Sequence, residues 1–312
     1  MKKINSLILL FLLVFCISAC GVTDNGGNTG TQNDMTNDST GTETPGRMVD
    51  DAIDKITPTG SPSGEIFTVD DTMPCVSDYS QYSDKLCGFG FKKSNKGIVP
   101  SIGTYQNYLS GNNAVYVGNT DTKTIYLTFD EGYENGYTNK ILDILKEKNV
   151  PAAFFCTGDY IRRNEDIVKR MIDEGHIVGN HTWNHKSMPS VKNDVEFKEE
   201  LTKFDDYMLE KFKIKTNYFR YPNGEFSEKT LKMVDDMGYK TVFWSLAYKD
   251  WEKDVVKGTD YAVNEVVNHI HNGAILLLHA VSRDNADALP VIIDRLNEEG
   301  YVFANLDNLK FE

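Results

Sequence analysis

The chain has 312 residues, of which 40% are hydrophobic and 25% charged, so it is long enough for one sizeable domain with appendages. Its formal net charge of −13 argues against a nucleic-acid partner, because phosphate binding requires a basic face. After the first twenty residues no apolar run is long enough to cross a bilayer.

The N-terminus is typical of a secretion signal. Two lysines precede an apolar run that ends at residue 17 and is short for a membrane span. The sequence Ile-Ser-Ala-Cys that follows resembles a bacterial lipobox, which predicts a signal peptide over 1–19 and lipidation of Cys20. The alternative is an ordinary cleaved signal with a chance cysteine. Both interpretations of the N-terminus predict export. Lipidation of Cys20 further predicts a protein that is anchored on the outer face of the cytoplasmic membrane.

Residues 20–65 are rich in Gly, Thr, Asn, Asp, Ser and Pro, with hardly an aromatic residue. Such a composition buries too little apolar surface to offset chain entropy, so it predicts a disordered tether. An N-terminal extension over 66–120 follows, in which Cys75 and Cys87 either pair in the oxidising compartment or stay as free thiols. The catalytic domain is predicted over 121–312.

Strand and helix patterns alternate through that domain. Short apolar runs predict buried strands at 125–129, 152–156, 241–244 and 274–278, with weaker ones at 177–179, 217–219 and 301–304. Amphipathic stripes at helical spacing begin at Tyr137, Val263 and Leu289. Parallel strands need crossovers, so repeated strand-helix units predict an α/β fold with a parallel sheet. Six or seven units favour a barrel over an open doubly wound sheet, with chemistry at the carboxyl ends of the strands in either case.

The unusual polar residues all follow predicted strands. They are Asp130, Glu131, His181, His185, Arg220, Asp250, Trp251 and His279. Random placement would scatter some of them onto helix faces, so this distribution predicts one shared site.

The residue types at that site predict metal-assisted hydrolysis. In HTWNH at 181–185, two imidazoles four positions apart would stack on one face of a helical turn and hold a divalent cation, although about half of such pairs bind no metal. Asp130 and Glu131 would supply a third ligand and a base if a turn at Gly132 directs both carboxyl groups toward the same opening of the fold. With His279 as a separate acid, these groups suit hydrolysis of an amide or ester.

Five motifs resemble the polysaccharide deacetylase family, also called the NodB-homology or carbohydrate esterase family 4 deacetylases. They are TFDEG at 128–132, HTWNH at 181–185, RYPNG at 220–224, the pair Asp250-Trp251 and LLLH at 276–279. The resemblance implies a distorted (β/α) barrel of NodB-homology type. It also implies catalytic roles: Asp130 as base, Arg220 as its partner, His279 as general acid and Asp250 as the residue that orients it.

The resemblance further implies a divalent metal, with zinc expected, held by His181 and His185. Most members have Asp at position 131 as the third ligand, so Glu131 would ligate after a small shift of the metal. Substrate-binding roles fall to Asn223, whose backbone N–H would help hold the oxyanion, to Trp251 as a wall of the acetyl pocket, and to Tyr221.

Four further stretches are GFGFKKSNKG upstream of the barrel, YENGYT after the first motif, WSLAYKDW, and HAVSRDNADALP from His279 onward. With them, residues 86–312 resemble the delta-lactam-forming N-acetylmuramic acid deacetylases of spore cortex peptidoglycan. This branch implies glycan strands as substrate, after an N-acetylmuramoyl amidase has removed the stem peptide. Arg283 would meet the lactyl carboxylate, or it is simply an exposed structural arginine. Two alternatives remain: a deacetylase of N-acetylglucosamine or another exported glycan, and a silent glycan-binding lipoprotein with Glu131 as a sign of decay.

Overall fold

The computed structural model describes residues 78–253 and 255–311. The predicted signal peptide, Cys20, the tether and Cys75 lie outside these residues, so those assignments stay predictions. Within the described part of the chain, no helix combines the length and apolarity needed to span a membrane.

Eleven strands and eight α-helices are present in the described residues. The strands are β1 (Cys87–Gly88), β2 (Ala114–Val115), β3 (Thr124–Glu131), β4 (Ala152–Cys156), β5 (Ile177–Asn180), β6 (Tyr218–Phe219), β7 (Glu225–Phe226), β8 (Lys240–Val242), β9 (Leu246–Ala247), β10 (Ala274–His279) and β11 (Val302–Phe303). The helices are α1 (Tyr105–Leu109), α2 (Thr138–Lys148), α3 (Gly158–Arg163), α4 (Glu165–Asp173), α5 (Asp194–Phe212), α6 (Glu228–Asp236), α7 (Thr259–Val267) and α8 (Arg283–Glu298). All seven predicted strands and the three predicted helices are therefore confirmed as elements.

Nine of the strands form one parallel sheet in the order β2-β8-β6-β5-β4-β3-β10-β9, with β11 beside the start of β3. Wherever two neighbouring strands of the sheet follow one another in the chain, at least one helix connects them, as parallel pairing requires. The sheet curls into a distorted barrel whose strand path ends at β2 on one side and β9 on the other. The predicted α/β barrel is confirmed.

Alternation along β3 separates the two faces of the sheet. Ile125, Leu127 and Phe129 belong to the apolar layer shared with the helices. Because successive side chains of a strand point to opposite faces, Thr128 and Asp130 face the barrel interior. The interior face therefore carries polar groups toward the carboxyl end of the strand, where the barrel opens.

The N-terminal extension packs against a loop at that same opening. β1 pairs with β7 in antiparallel fashion, and the Phe89 N–H donates to the Gly224 carbonyl at 2.8 Å. The Phe89 ring stacks on Phe243 with centroids 4.3 Å apart. Gly224 has a φ of +66°, and a Cβ there would lie 2.9 Å from the Trp244 ring, so only glycine fits between these aromatic side chains. The extension thus braces the loop at 222–224.

We expect Phe89→Ala to lower the free energy of unfolding by about 3 kcal/mol, because a buried ring is lost and a cavity remains. Chemical denaturation would measure it. Leu86→Ala is the control, since Leu86 lies in the same segment but is 50% exposed. Equal effects of the two substitutions would contradict the bracing role.

Candidate active site

A cleft of about 770 Å³ opens at the carboxyl ends of the strands. Its lining residues are Asp130, Gly132, Tyr133, Thr157, Asp159, His181, Trp183, Asn184, His185, Asn223, Trp244, Trp251, Leu277, His279 and Val281. Six of the residues predicted for the site thus come together in one cavity, although they arise from five separate segments of the chain.

The innermost contact is an ion pair between Asp130 and Arg220. The guanidinium is fully buried and its Nη1 donates to Asp130 Oδ1 at 2.8 Å and to Thr128 Oγ1 at 2.9 Å. Burial alone would raise the pKa of Asp130, but the charge and hydrogen bond of Arg220, together with His181 and His279, outweigh it and hold that pKa below its usual value. Asp130 is therefore ionised and able to accept a proton.

His181 presents one ring nitrogen to the cleft. Its Nδ1 lies 2.8 Å from the Arg220 carbonyl, which can only accept, so Nδ1 carries the proton and Nε2 is unprotonated in the neutral ring. Nε2 lies 3.6 Å from Asp130 Oδ2. Burial lowers the pKa of His181 to about 4. A neutral imidazole with a free Nε2 is the form that binds metals.

His185 lies next to His181, but the residues that connect them do not form a helical turn. The ring centroids are 4.9 Å apart, but Thr182 and His185 have φ of +68° and +55°, so the segment is an irregular loop after β5. The prediction of a helical turn was wrong. The physical reason is local: Asn180 Oδ1 accepts from the Thr182 N–H, and Thr182 Oγ1 accepts from the His185 N–H, which replaces helical bonding.

His279 lies beside Asp130, because the two are register neighbours on β10 and β3. Its Nδ1 donates to Asp250 Oδ1 at 2.8 Å, and its backbone N–H donates to Asp250 Oδ2. Burial would lower the pKa of His279, but the Asp250 carboxylate outweighs it and raises that pKa. Asn285 Nδ2 holds Asp250 from the other side at 2.5 Å. His279 is thereby placed as a proton donor, and the Trp251 ring lies 5.7 Å from it.

Glu131 does not join this group. β3 remains extended through Glu131, so its side chain points away from the face that carries Asp130. It is fully buried, and its carboxyl oxygens have no hydrogen-bond partner in the described part of the chain. Burial, and then the carboxylates of Glu134 and Asp130, raise its pKa well above the usual value. The structure thus contradicts the expected turn at Gly132 and the placement of Glu131 as third metal ligand.

Two of the expected substrate contacts are also absent from the cleft. Tyr221 is fully buried and stacks on Phe243, so it belongs to the core. Arg283 lies at the start of α8, with a side chain that is 62% exposed and paired with Asp287. By contrast Asn223, at a φ of +56°, and Trp251, which is 51% exposed, both line the cleft as predicted.

Aromatic lining residues were missed from the sequence. Trp183, Tyr133 and Trp244 all line the cleft. In the sequence, Trp183 lies between the two histidines of HTWNH, and that position could have indicated that it lines the site. Trp244 ended a predicted buried strand and was therefore interpreted as a core residue.

The imidazole rings of His181 and His185 are suitable ligands for a metal ion. Among the described residues, however, no three His, Cys, Asp or Glu side chains are arranged as a complete metal site. Asp130 is the carboxylate that faces His181.

Comparisons with known proteins agree with this geometry. The polysaccharide deacetylase family matches residues 117–242. The chain is 45% identical over 226 residues to the peptidoglycan-N-acetylmuramic acid deacetylase PdaA of Bacillus subtilis, covering 72% of this chain and 86% of PdaA. The PdaA structure, described as a family 4 carbohydrate esterase, superposes with a TM-score of 0.71 over 73% of this chain and 97% of that one, at 43% identity. A peptidoglycan-N-acetylglucosamine deacetylase of Bacillus cereus is 33% identical over 189 residues, covering 59% of this chain and 67% of that protein.

The chain therefore belongs to the polysaccharide deacetylase family, carbohydrate esterase family 4.

We expect Glu131→Gln to stabilise the metal-free protein in alkaline buffer by at least ~1 kcal/mol, because ionising a buried, unpartnered carboxyl is unfavourable. The folded-state pKa of Glu131 lies above its unfolded value, so the parent loses stability as pH rises through that raised pKa. The glutamine does not titrate. Its advantage should therefore grow with pH and vanish in acid.

Denaturant unfolding in a chelator, repeated across pH, would measure this difference. Exposed Glu147→Gln is the control. A pH-independent difference, or a loss of stability with Glu131→Gln at alkaline pH, would contradict the buried placement.

Proposed function

We propose that the protein hydrolyses the N-acetyl group of N-acetylmuramic acid in peptidoglycan. One observation carries the proposal: Asp130 and His279 are neighbours on adjacent strands, yet their partners shift their pKa values in opposite directions. A proton acceptor and a proton donor that face one cleft are what amide hydrolysis needs.

Each side chain then has a defined task. Asp130, held ionised by Arg220, accepts the proton of the attacking water. His279, charged through Asp250, donates a proton to the amine nitrogen as the bond to the acetyl carbon breaks. His181 and His185 would hold a divalent metal, with zinc expected. When bound, it supplies Lewis-acid polarisation of the acetyl carbonyl and lowers the pKa of water.

The remaining lining residues shape the acetyl pocket. Asn223 is held in a left-handed conformation next to Gly224, and its backbone N–H is proposed as an oxyanion donor. Trp251 forms the wall beside His279. The surrounding aromatic side chains, Tyr133 and Trp183, offer flat apolar faces to sugar rings.

The substrate and its setting are inferred from the similarity to PdaA. The acetyl group would be removed after an amidase has taken off the stem peptide, and the freed amine would close on the lactyl carboxyl to give the muramic delta-lactam of spore cortex. Export through the signal peptide and anchoring through lipidated Cys20 would place the domain on the outer face of the cytoplasmic membrane, where peptidoglycan lies.

The alternative substrate is N-acetylglucosamine, favoured by the similarity to the Bacillus cereus enzyme. A catalytically silent glycan-binding lipoprotein is the other alternative. The intact pairs Asp130–Arg220 and His279–Asp250 argue against it, because a decayed site has no need to keep two buried charge pairs.

We expect the purified protein, supplied with zinc, to release acetyl from muramic acid in glycan strands that lack stem peptides. Asp130→Asn should lower the rate by at least ~10²-fold, because the general base is lost. Mass spectrometry of the products would measure both. Strands with intact stem peptides are the matched substrate control.

The outcomes separate the three functions. Acetyl loss from glucosamine residues alone would establish the alternative substrate. No acetyl loss from either strand, with zinc bound, would support the silent lipoprotein.

The pH dependence of activity should reflect the ionisation of His279. Because its folded-state pKa is raised, the imidazolium persists above the usual histidine value, and activity should fall only as pH rises through that raised pKa. Asp250→Asn removes the carboxylate, so we expect the basic limb of kcat/KM to move to lower pH. Glu252→Gln, on the exposed side of the same loop, is the charge control. An unmoved limb in Asp250→Asn would exclude His279 as the titrating acid.

A further inference from the structure

We propose that Glu200, on α5, is a positioning residue that holds the histidine loop, residues 181–187, in its active shape. This inference rests on the proposed function, because it assigns the loop's histidines to the metal. Glu200 lies outside all five sequence motifs and does not line the cleft.

Both carboxylate oxygens of Glu200 are directed at the loop. Oε2 accepts from the Asn184 N–H at 2.8 Å, and Oε1 accepts from Asn184 Nδ2 at 2.7 Å. The Glu200 carbonyl accepts from the Trp183 N–H, also at 2.8 Å. Lys186 Nζ lies 3.1 Å from Oε1 and balances the charge. A single residue thus binds both Trp183 and Asn184, between the two histidines, and pairs with Lys186 just after the second one.

The loop needs such a partner because its backbone is unfavourable on its own. Thr182 and His185 both adopt left-handed φ values, which are unfavourable for non-glycine residues and persist only when neighbours enforce them. No helix or strand covers residues 181–187. The bonds to Glu200 fall between these two strained positions, where they oppose relaxation of both.

Burial points to the same role. Glu200 is 3% exposed, and a buried carboxylate is unfavourable unless its oxygens are satisfied. The preceding residue, Glu199, faces solvent and pairs only along its own helix with Lys203. The two residues share charge, helix and neighbourhood, but only Glu200 contacts the loop, which makes Glu199 a matched control.

Since Glu200 holds the segment between the histidines through Trp183 and Asn184, its loss should affect metal binding and turnover more than substrate binding. We expect Glu200→Gln, which places an amide donor against loop donors, to weaken zinc affinity by about tenfold or more, in the range known for residues that orient metal ligands. Turnover should fall similarly, with KM within about threefold of the parent. Glu199→Gln should match the parent in each measurement.

Calorimetric titration of the full chain with zinc needs no glycan, so its result is independent of the substrate. Amide hydrogen exchange over 181–187 reports the loop itself and should quicken in Glu200→Gln only. If that variant fails to fold, Asn184→Ala removes one bond from an exposed residue and should weaken zinc affinity in the same direction.

Parent-like zinc affinity and loop exchange in Glu200→Gln would overturn the proposal, even if the melting temperature fell. A parent protein that binds zinc but deacetylates no glycan would instead overturn the proposed function and leave the role of Glu200 standing.

Discussion

The active site depends on one buried guanidinium. Arg220 donates to Asp130, to Thr128 and to the carbonyls of Val242 and Phe243, so it ties the ends of three strands together inside the barrel. A fully buried charge is tolerated only because these acceptors surround it. Its own carbonyl then accepts from His181, which sets the tautomer of that ring. One residue therefore keeps the Asp130 carboxyl ionised and leaves Nε2 of the neighbouring imidazole unprotonated.

The parallel pairing of the strands brings Asp130 and His279 together. β3 and β10 are far apart in sequence, yet their register places Asp130 directly beside His279. The proposed proton acceptor and donor therefore need no loop to bring them together. The pKa of Asp130 is lowered beside Arg220, whereas the pKa of His279 is raised beside Asp250. The histidine loop is the opposite case, since it has no regular structure and relies on side-chain acceptors from β5 and α5.

Part of the site's support comes from outside the residues that match the family, 117–242. The extension before them packs Phe89 under the loop that carries Asn223, and the segment after them supplies Asp250, His279 and Asn285. The catalytic unit is therefore larger than the matched region. Glu131, which was expected to be a metal ligand, lies within the matched region, but its side chain faces the helix layer.

The sequence by itself determined the strands, the fold class and the residues at the strand ends, because apolar periodicity reports burial and strand ends converge in a parallel sheet. It could not determine on which face a side chain at a strand end lies. That depends on where the strand stops. The predicted strand ended at residue 129, whereas β3 stays extended through Glu131, and this directs Glu131 away from Asp130. Tyr221 was misplaced for a similar reason, since adjacency to a motif says nothing about burial, whereas Arg283 fits the alternative of an exposed structural arginine. Glu200 was missed for a related reason. Its partner Asn184 is sixteen residues away in the sequence, and the two meet only because α5 packs against the histidine loop.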